Sequence, residues 1–181
     1  MIWLYLTREL DIICQSRIRI FHLAPEAAIK TPLCRLKHIA YVSGDLTSET
    51  ADVLLDATRI PFAQSSFDAL ICCHVLEHIN DDRKVMEEFY RMLIPGGWAL
   101  LQHPIPRAYT YEDNSVTTPE DRKRVFGQKD HVRIYGMDLK NRLEAVGFEV
   151  TVIDYPGMLS KAEVLRYGLK PGELIFFCRK G

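Results

Sequence analysis

The sequence predicts an α/β protein built on a doubly wound, mainly parallel sheet, and three observations predict it. Short apolar runs recur along the chain and read as strands, first at Ile18–Leu23. One of them, Phe67–Cys73, is apolar on both faces, as suits a central strand covered by helices on either side. Strand-like and helix-like segments alternate instead of clustering as hairpins.

The bulk numbers bound what such a sheet can do. A chain of 181 residues is one ordinary domain, long enough to bury its own core, and we read 1–181 as a single unit. The formal net charge of -1 gives no global field toward nucleic acid or an acidic membrane, so neither is expected as a partner. Five cysteines, an odd number without a CxxC pair, argue against a zinc knuckle or a disulfide framework. A reducing, cytoplasmic compartment is expected, with four of the thiols in or beside apolar runs and so buried.

Taken in order, residues 1–16 are apolar in places, but Arg8, Glu9 and Asp11 interrupt the run too early for a secretory signal or a bilayer span. The segment reads as a strand or helix covering the core, the stub of a longer N-terminal cap. After the first strand, Pro25 suits the first turn of a helix that Thr31-Pro32 cuts short. Residues 38–43 form a second strand ended by Gly44-Asp45, and 51–55 a third ended by Asp56. Parallel neighbours normally need about a dozen linking residues, and far fewer are present here. The usual helix is therefore reduced to a turn or one strand is trimmed. Residues 81–93 have helical spacing, with Asn80 as N-cap and Pro95-Gly96-Gly97 as the stop. A fifth strand covers 98–102, a helix 137–146 ends at Gly147, and two last strands cover 148–154 and 173–179.

In open parallel sheets ligands bind beyond the carboxyl ends of the strands. The residues there are Ala24, Pro25 and Glu26; Gly44, Asp45 and Leu46; Asp56 and Ala57; Cys73, His74, Val75 and the nearby His78; and His103. Asp45, at the end of the second strand, is placed to accept two ribose hydroxyls, and Asp56, at the end of the third, an adenine amino group. Each carboxylate has the alternative of capping its own turn.

Residues 56–101 carry four motifs in register: D-x-x-x-I-P-F from Asp56, Ser66-Phe67-Asp68, His74-Val75-Leu76-Glu77-His78, and R-x-L-x-P-G-G from Arg91. This series resembles the core of the type 11 methyltransferases, a class I family. The resemblance implies a Rossmann-like seven-stranded sheet with an antiparallel last strand, S-adenosyl-L-methionine as cofactor, and methyl transfer to an acceptor it does not identify. The twelve strand-end residues named above, Ala24 through His78, then become the cofactor-binding set. The departure is in the first loop. The family pattern is an acidic residue followed by G-x-G-x-G, whereas this chain has His22, then Ala24-Pro25-Glu26-Ala27-Ala28. Alanine adds a methyl group and proline removes a donor. Glu26 can offer its carboxylate to the methionine amino group.

Residues 104–136 are polar and break the alternation, as a lid or acceptor-binding insertion does. Its Asp130-His131-x-Arg133-x-Tyr135 motif makes His131 a candidate general base, with His103 a second. Arg122-Lys123-Arg124 reads as a solvated helix face. The string HVLEH also matches a zinc-hydrolase motif, but that motif needs one continuous helix, and no third ligand is evident. No metal is expected there. The resulting expectation is an S-adenosylmethionine-dependent methyltransferase acting on a small-molecule acceptor, its competitor a catalytically inactive binding or scaffold protein of the same fold. An NAD oxidoreductase is disfavoured by the missing G-x-G-x-x-G.

Overall fold

The computed structural model describes residues 1–105 and 107–181. Helix α1 (Ile2–Arg8) leads, placing Ile2, Tyr5 and Leu6 in the core at helical spacing. Strand β1 (Ile18–Leu23) follows, then α2 (Ala27–Cys34), β2 (Ile39–Asp45), β3 (Val53–Leu54) and β4 (Phe67–Cys73). A 3₁₀ turn (Leu76–His78) leads to α3 (Asp82–Met92) and β5 (Leu93–Gln102). The inserted segment holds β6 (Tyr111–Glu112), α4 (Pro119–Phe126) and β7 (Arg133–Ile134). The chain ends with α5 (Leu139–Glu144), β8 (Phe148–Ile153), α6 (Tyr155–Met158), α7 (Lys161–Arg166) and β9 (Ile175–Lys180).

Seven strands form the main sheet in the order β3-β2-β1-β4-β5-β9-β8, with β9 antiparallel to both neighbours and the remaining pairings parallel. Alternation along β4 feeds both faces. Leu70 and Cys72 enter the layer containing Val85, Met86 and Phe89 of α3 and Leu139 and Leu143 of α5. Ala69, Ile71 and Cys73 enter the layer containing α1 and α2.

Several expectations are corrected. Helix α2 begins after Glu26, so Pro25 precedes it, and it runs through Pro32, whose missing N–H costs one bond near the helix end. The N-cap of α3 is Asp81, whose Oδ1 accepts from the Lys84 amide at 3.1 Å, and not Asn80. Pro95-Gly96-Gly97 does not stop the helix, which ends at Met92. It forms a bulge within β5: Phe67 faces Leu93 while Ala69 faces Trp98. Cys14 and Cys34 are exposed, and Cys72, Cys73 and Cys178 buried. The short link after β2 has a simple geometry. Only Gly44↔Val53 and Asp45↔Leu54 pair, so the chain has to double back by two residues and needs no crossover helix. The helix is lost and the strand is trimmed together. Among the described residues no helix is long and apolar enough to cross a membrane.

Candidate functional site

A cavity of about 610 Å3 opens at the carboxyl ends of β1, β2 and β4, within the size range of small-molecule sites. Ala24, Asp45, Leu46, Asp56, Ala57, His74, Val75 and His78 line it. Four residues of the expected set do not. Gly44 sits behind it, where an added Cβ would stand 2.6 Å from Leu55 Cδ2 and 2.9 Å from Phe21 Cζ. Cys73 is buried in the core. Pro25 and Glu26 lie outside the lining, with Glu26 Oε2 3.0 Å from the buried His22 Nε2.

Both aspartates use one oxygen for their own turns. Asp45 Oδ1 accepts from the Thr47 and Ser48 amides, each at 2.8 Å. Asp56 Oδ1 accepts from the Thr58 amide and hydroxyl, each at 2.8 Å, and these bonds hold its carboxyl below the usual range. Their Oδ2 atoms accept no hydrogen bond among the described residues. The backbone leaves β1 and β4 through left-handed residues, Ala24 (φ 49°) and His74 (φ 54°). A non-glycine residue pays for that conformation, and such strain concentrates at binding sites. The amides of Ala24 and His74 still reach back to the Gly44 and Gln102 carbonyls at 2.8 and 2.9 Å.

The insertion meets this edge of the sheet. Arg122 and Asp130 line the same cavity as Asp45 and His74, so Arg122 is not part of a fully solvated face. A second cavity of about 290 Å3 lies beside it, lined by Glu77, Pro104, Phe126, His131, Arg133 and Tyr135 among others. Buried Arg133 pins the insertion: it donates to the Leu76, Ile79 and Asn80 carbonyls and to Glu112. The Tyr135 hydroxyl donates to Asp82 at 2.7 Å.

Glu77, the residue sequence reasoning passed over, is the centre of a histidine cluster. His103 Nδ1 lies 2.7 Å from Glu77 Oε2, and His74 Nδ1 3.7 Å from Oε1. Burial opposes ionisation of Glu77, but the bonds from His103 and His74 hold its carboxyl well below the usual range. The Glu77 carboxylate accepts from His103 Nδ1, and His103 Nε2 is buried without a hydrogen-bond partner among the described residues. His131 stacks edge-on against His78, with ring centroids 4.6 Å apart. Burial and the neighbouring His78 push the His131 pKa down. HVLEH is strand end, left-handed residue and 3₁₀ turn, so no single helix carries His74 and His78. A charge inside the otherwise apolar run Val75–Ile79 was the available signal for Glu77.

Comparison with known proteins bears on both the fold and the core motifs. Residues 34–101 match the family model described as a methyltransferase domain. The solved S-adenosylmethionine-dependent methyltransferase from Archaeoglobus fulgidus superposes with a TM-score of 0.67 at 16% identity, covering 99% of this chain and 93% of that one. The chain thus has the class I methyltransferase fold, and its residues 34–101 are similar to the methyltransferase-domain family. Among curated relatives, a ubiquinone/menaquinone biosynthesis C-methyltransferase of Desulfotalea psychrophila is 36% identical over 53 residues, 29% of this chain and 22% of that protein. One of the same description from Haemophilus ducreyi is 24% identical over 133 residues, 65% of this chain and 51% of that protein. The chain therefore spans about half, or less, of the length of these relatives.

Proposed function

We propose that the chain is an S-adenosylmethionine-dependent methyltransferase acting on a small-molecule acceptor. One observation carries the reading: within this fold, two carboxylates with uncommitted oxygens, Asp45 and Asp56, stand at successive strand ends in one cavity. When bound there, S-adenosylmethionine supplies a methyl group already activated by its positive sulfur. Asp45 takes the ribose hydroxyls and Asp56 the adenine amino group. Ala24, Leu46, Ala57 and Val75 provide apolar wall. Glu26, outside this lining and 3.0 Å from His22 Nε2, is given no part in holding the cofactor.

The rest of the chain's task is alignment, a proximity effect. The smaller cavity, under Phe126, His131 and Tyr135, receives the acceptor, and the insertion excludes water from it. His131 lines that space and His103 stands behind Glu77, and these two side chains are assigned to take a proton. The curated relatives are named for quinone-pathway substrates, which supports an acceptor of small-molecule size.

The test is calorimetry with S-adenosylmethionine, S-adenosylhomocysteine and NAD. Both sulfur ligands should bind and NAD should not. Asp45→Ala should weaken S-adenosylhomocysteine by roughly 1–3 kcal/mol, the scale of a lost charged hydrogen bond. A folded Asp45→Ala protein with unchanged affinity would refute the assignment.

A further inference from the structure

We infer that Glu77, His78 and His131 form a binding site for one divalent transition-metal ion, set in the wall between the two cavities. Each offers one ligand atom, and the three atoms lie within 4.8 Å of one another. Glu77 and His131 line the smaller cavity, while His78 lines the larger. With bonds of about 2.0–2.2 Å, the donors of a tetrahedral site stand about 3.3–3.6 Å apart. The three side chains therefore have to draw in on the ion, by up to about 1 Å in their mutual separations.

The surroundings fit an ion better than a plain packing contact. Four of the chain's six histidines, at 74, 78, 103 and 131, gather around this carboxylate. A single carboxylate has no need of so many imidazoles for neutralisation. Asp130 Oδ2 stands 3.3 Å from His78 Nδ1, the carboxylate–imidazole pairing that orients a metal-bound histidine and leaves Nε2 for the ion. His103 does the same for Glu77 from behind. The HVLEH motif alone lacked a third ligand; the insertion supplies it as His131, and His74 is outside the set.

Two imidazole nitrogens and one carboxylate oxygen select zinc, cobalt, iron or manganese over magnesium or calcium. Three protein ligands leave positions for water or an acceptor oxygen. The ion site stands independently of methyl transfer, whereas its use toward an acceptor rests on the function proposed above. In that use His131 holds the ion, and His103 is the remaining base.

The experiment uses the whole chain with the exposed Cys14 and Cys34 replaced by serine, so that surface thiols cannot collect metal. Chelator-stripped protein is titrated with Zn2+ by calorimetry and with Co2+ by absorption. One Zn2+ per chain is expected, with Mg2+ giving no heat. His78→Ala and His131→Ala should each weaken Zn2+ by more than the roughly 10–100-fold that loss of a ligand's outer partner costs. His74→Ala should leave it within a few-fold. The Co2+ form of this cysteine-replaced protein, with all histidines intact, should show d–d bands without a thiolate charge-transfer band, a readout that survives if a histidine variant fails to fold. Absence of stoichiometric Zn2+, binding indifferent to His131→Ala, or a thiolate band overturns the proposal. A parallel titration with S-adenosylhomocysteine separates the two claims: if it binds and Zn2+ does not, the ion site alone fails, and if Zn2+ binds and it does not, the methyltransferase reading alone fails.

Discussion

The sheet and the inserted segment 104–136 are held by different forces. Strands β1, β4 and β5 bury side chains such as Ile20, Phe21, Leu70, Ile71 and Leu100 completely, and helices on both faces complete the layers. The insertion contributes few apolar anchors to that core. It is tied by Arg133 to the carbonyls after β4, by Tyr135 to Asp82, by Glu112 to Arg142, and by Thr110 to Asp138. Apolar burial is non-directional and tolerates small shifts. A buried charge network is specific and fails when one partner goes. The sheet thus carries a segment whose attachment is polar and severable.

The sharpest way to break that contrast is Arg133→Ala. It takes the Arg133 donor from the Ile79 and Asn80 carbonyls, leaves the Leu76 carbonyl with the Ile79 amide, and leaves Glu112 with Arg142 alone. Arg133 is buried while Glu112 is exposed and Arg142 partly so, so the cost should fall below the roughly 3–5 kcal/mol of a fully buried ionic network, and the loss should be local. Hydrogen exchange should rise at the Val132 amide, which donates to the Glu77 carbonyl at 2.9 Å, while amides of β4 keep their protection. Uniform loss of protection over both regions would show that insertion and sheet form one cooperative unit.

Acid should separate them more gently. Burial opposes ionisation of Glu112, yet hydrogen bonds from Arg142 and Arg133 outweigh it and hold its carboxyl below the ordinary value. A carboxyl with a depressed folded pKa contributes stability that is present above the unfolded pKa, about 4.3 for Glu. That stability is lost as pH falls through the lower folded value. Protection in the insertion should therefore fade below about pH 4, ahead of β4. Simultaneous loss in the two regions would remove the distinction.

The same contrast decides what was legible in the sequence. Phe67–Cys73 is the strand the apolar run predicts, to the residue, because a central strand writes its burial into every position. The antiparallel last strand and the shortened link after β2 were also readable, from motif register and from counting residues. The helices α6 and α7 were not: α7 has no buried residue, and its capping box at Ser160 and Glu163 lies outside any periodic apolar pattern. That Asp45 and Asp56 would stand at strand ends, where the larger cavity opens, was legible because each follows a short apolar run. Glu77 was hidden because its partners, His103 and His131, come from elsewhere in the chain. Long-range polar convergence leaves no period to read.

The smallest expected effect tests whether the sheet pays for its own binding edge. Ala24 occupies the left-handed region at φ 49°, at the head of the loop where the resembled family carries glycine. That conformation costs an L-residue roughly 1–2 kcal/mol. Glycine removes the clash but enlarges the entropy of the unfolded chain, offsetting about 0.5–1 kcal/mol. Ala24→Gly should therefore stabilise the protein by about 0.5–1 kcal/mol in urea denaturation, with the m-value unchanged. Because Ala24 lines the larger cavity, deleting its methyl group also widens the approach to the backbone there. Affinity for S-adenosylhomocysteine should hold or improve. A destabilised Ala24→Gly protein would mean that the methyl group contributes packing worth more than the strain it imposes. The first loop would then be a remodelled wall of the site, and not a glycine loop carrying a tolerated defect.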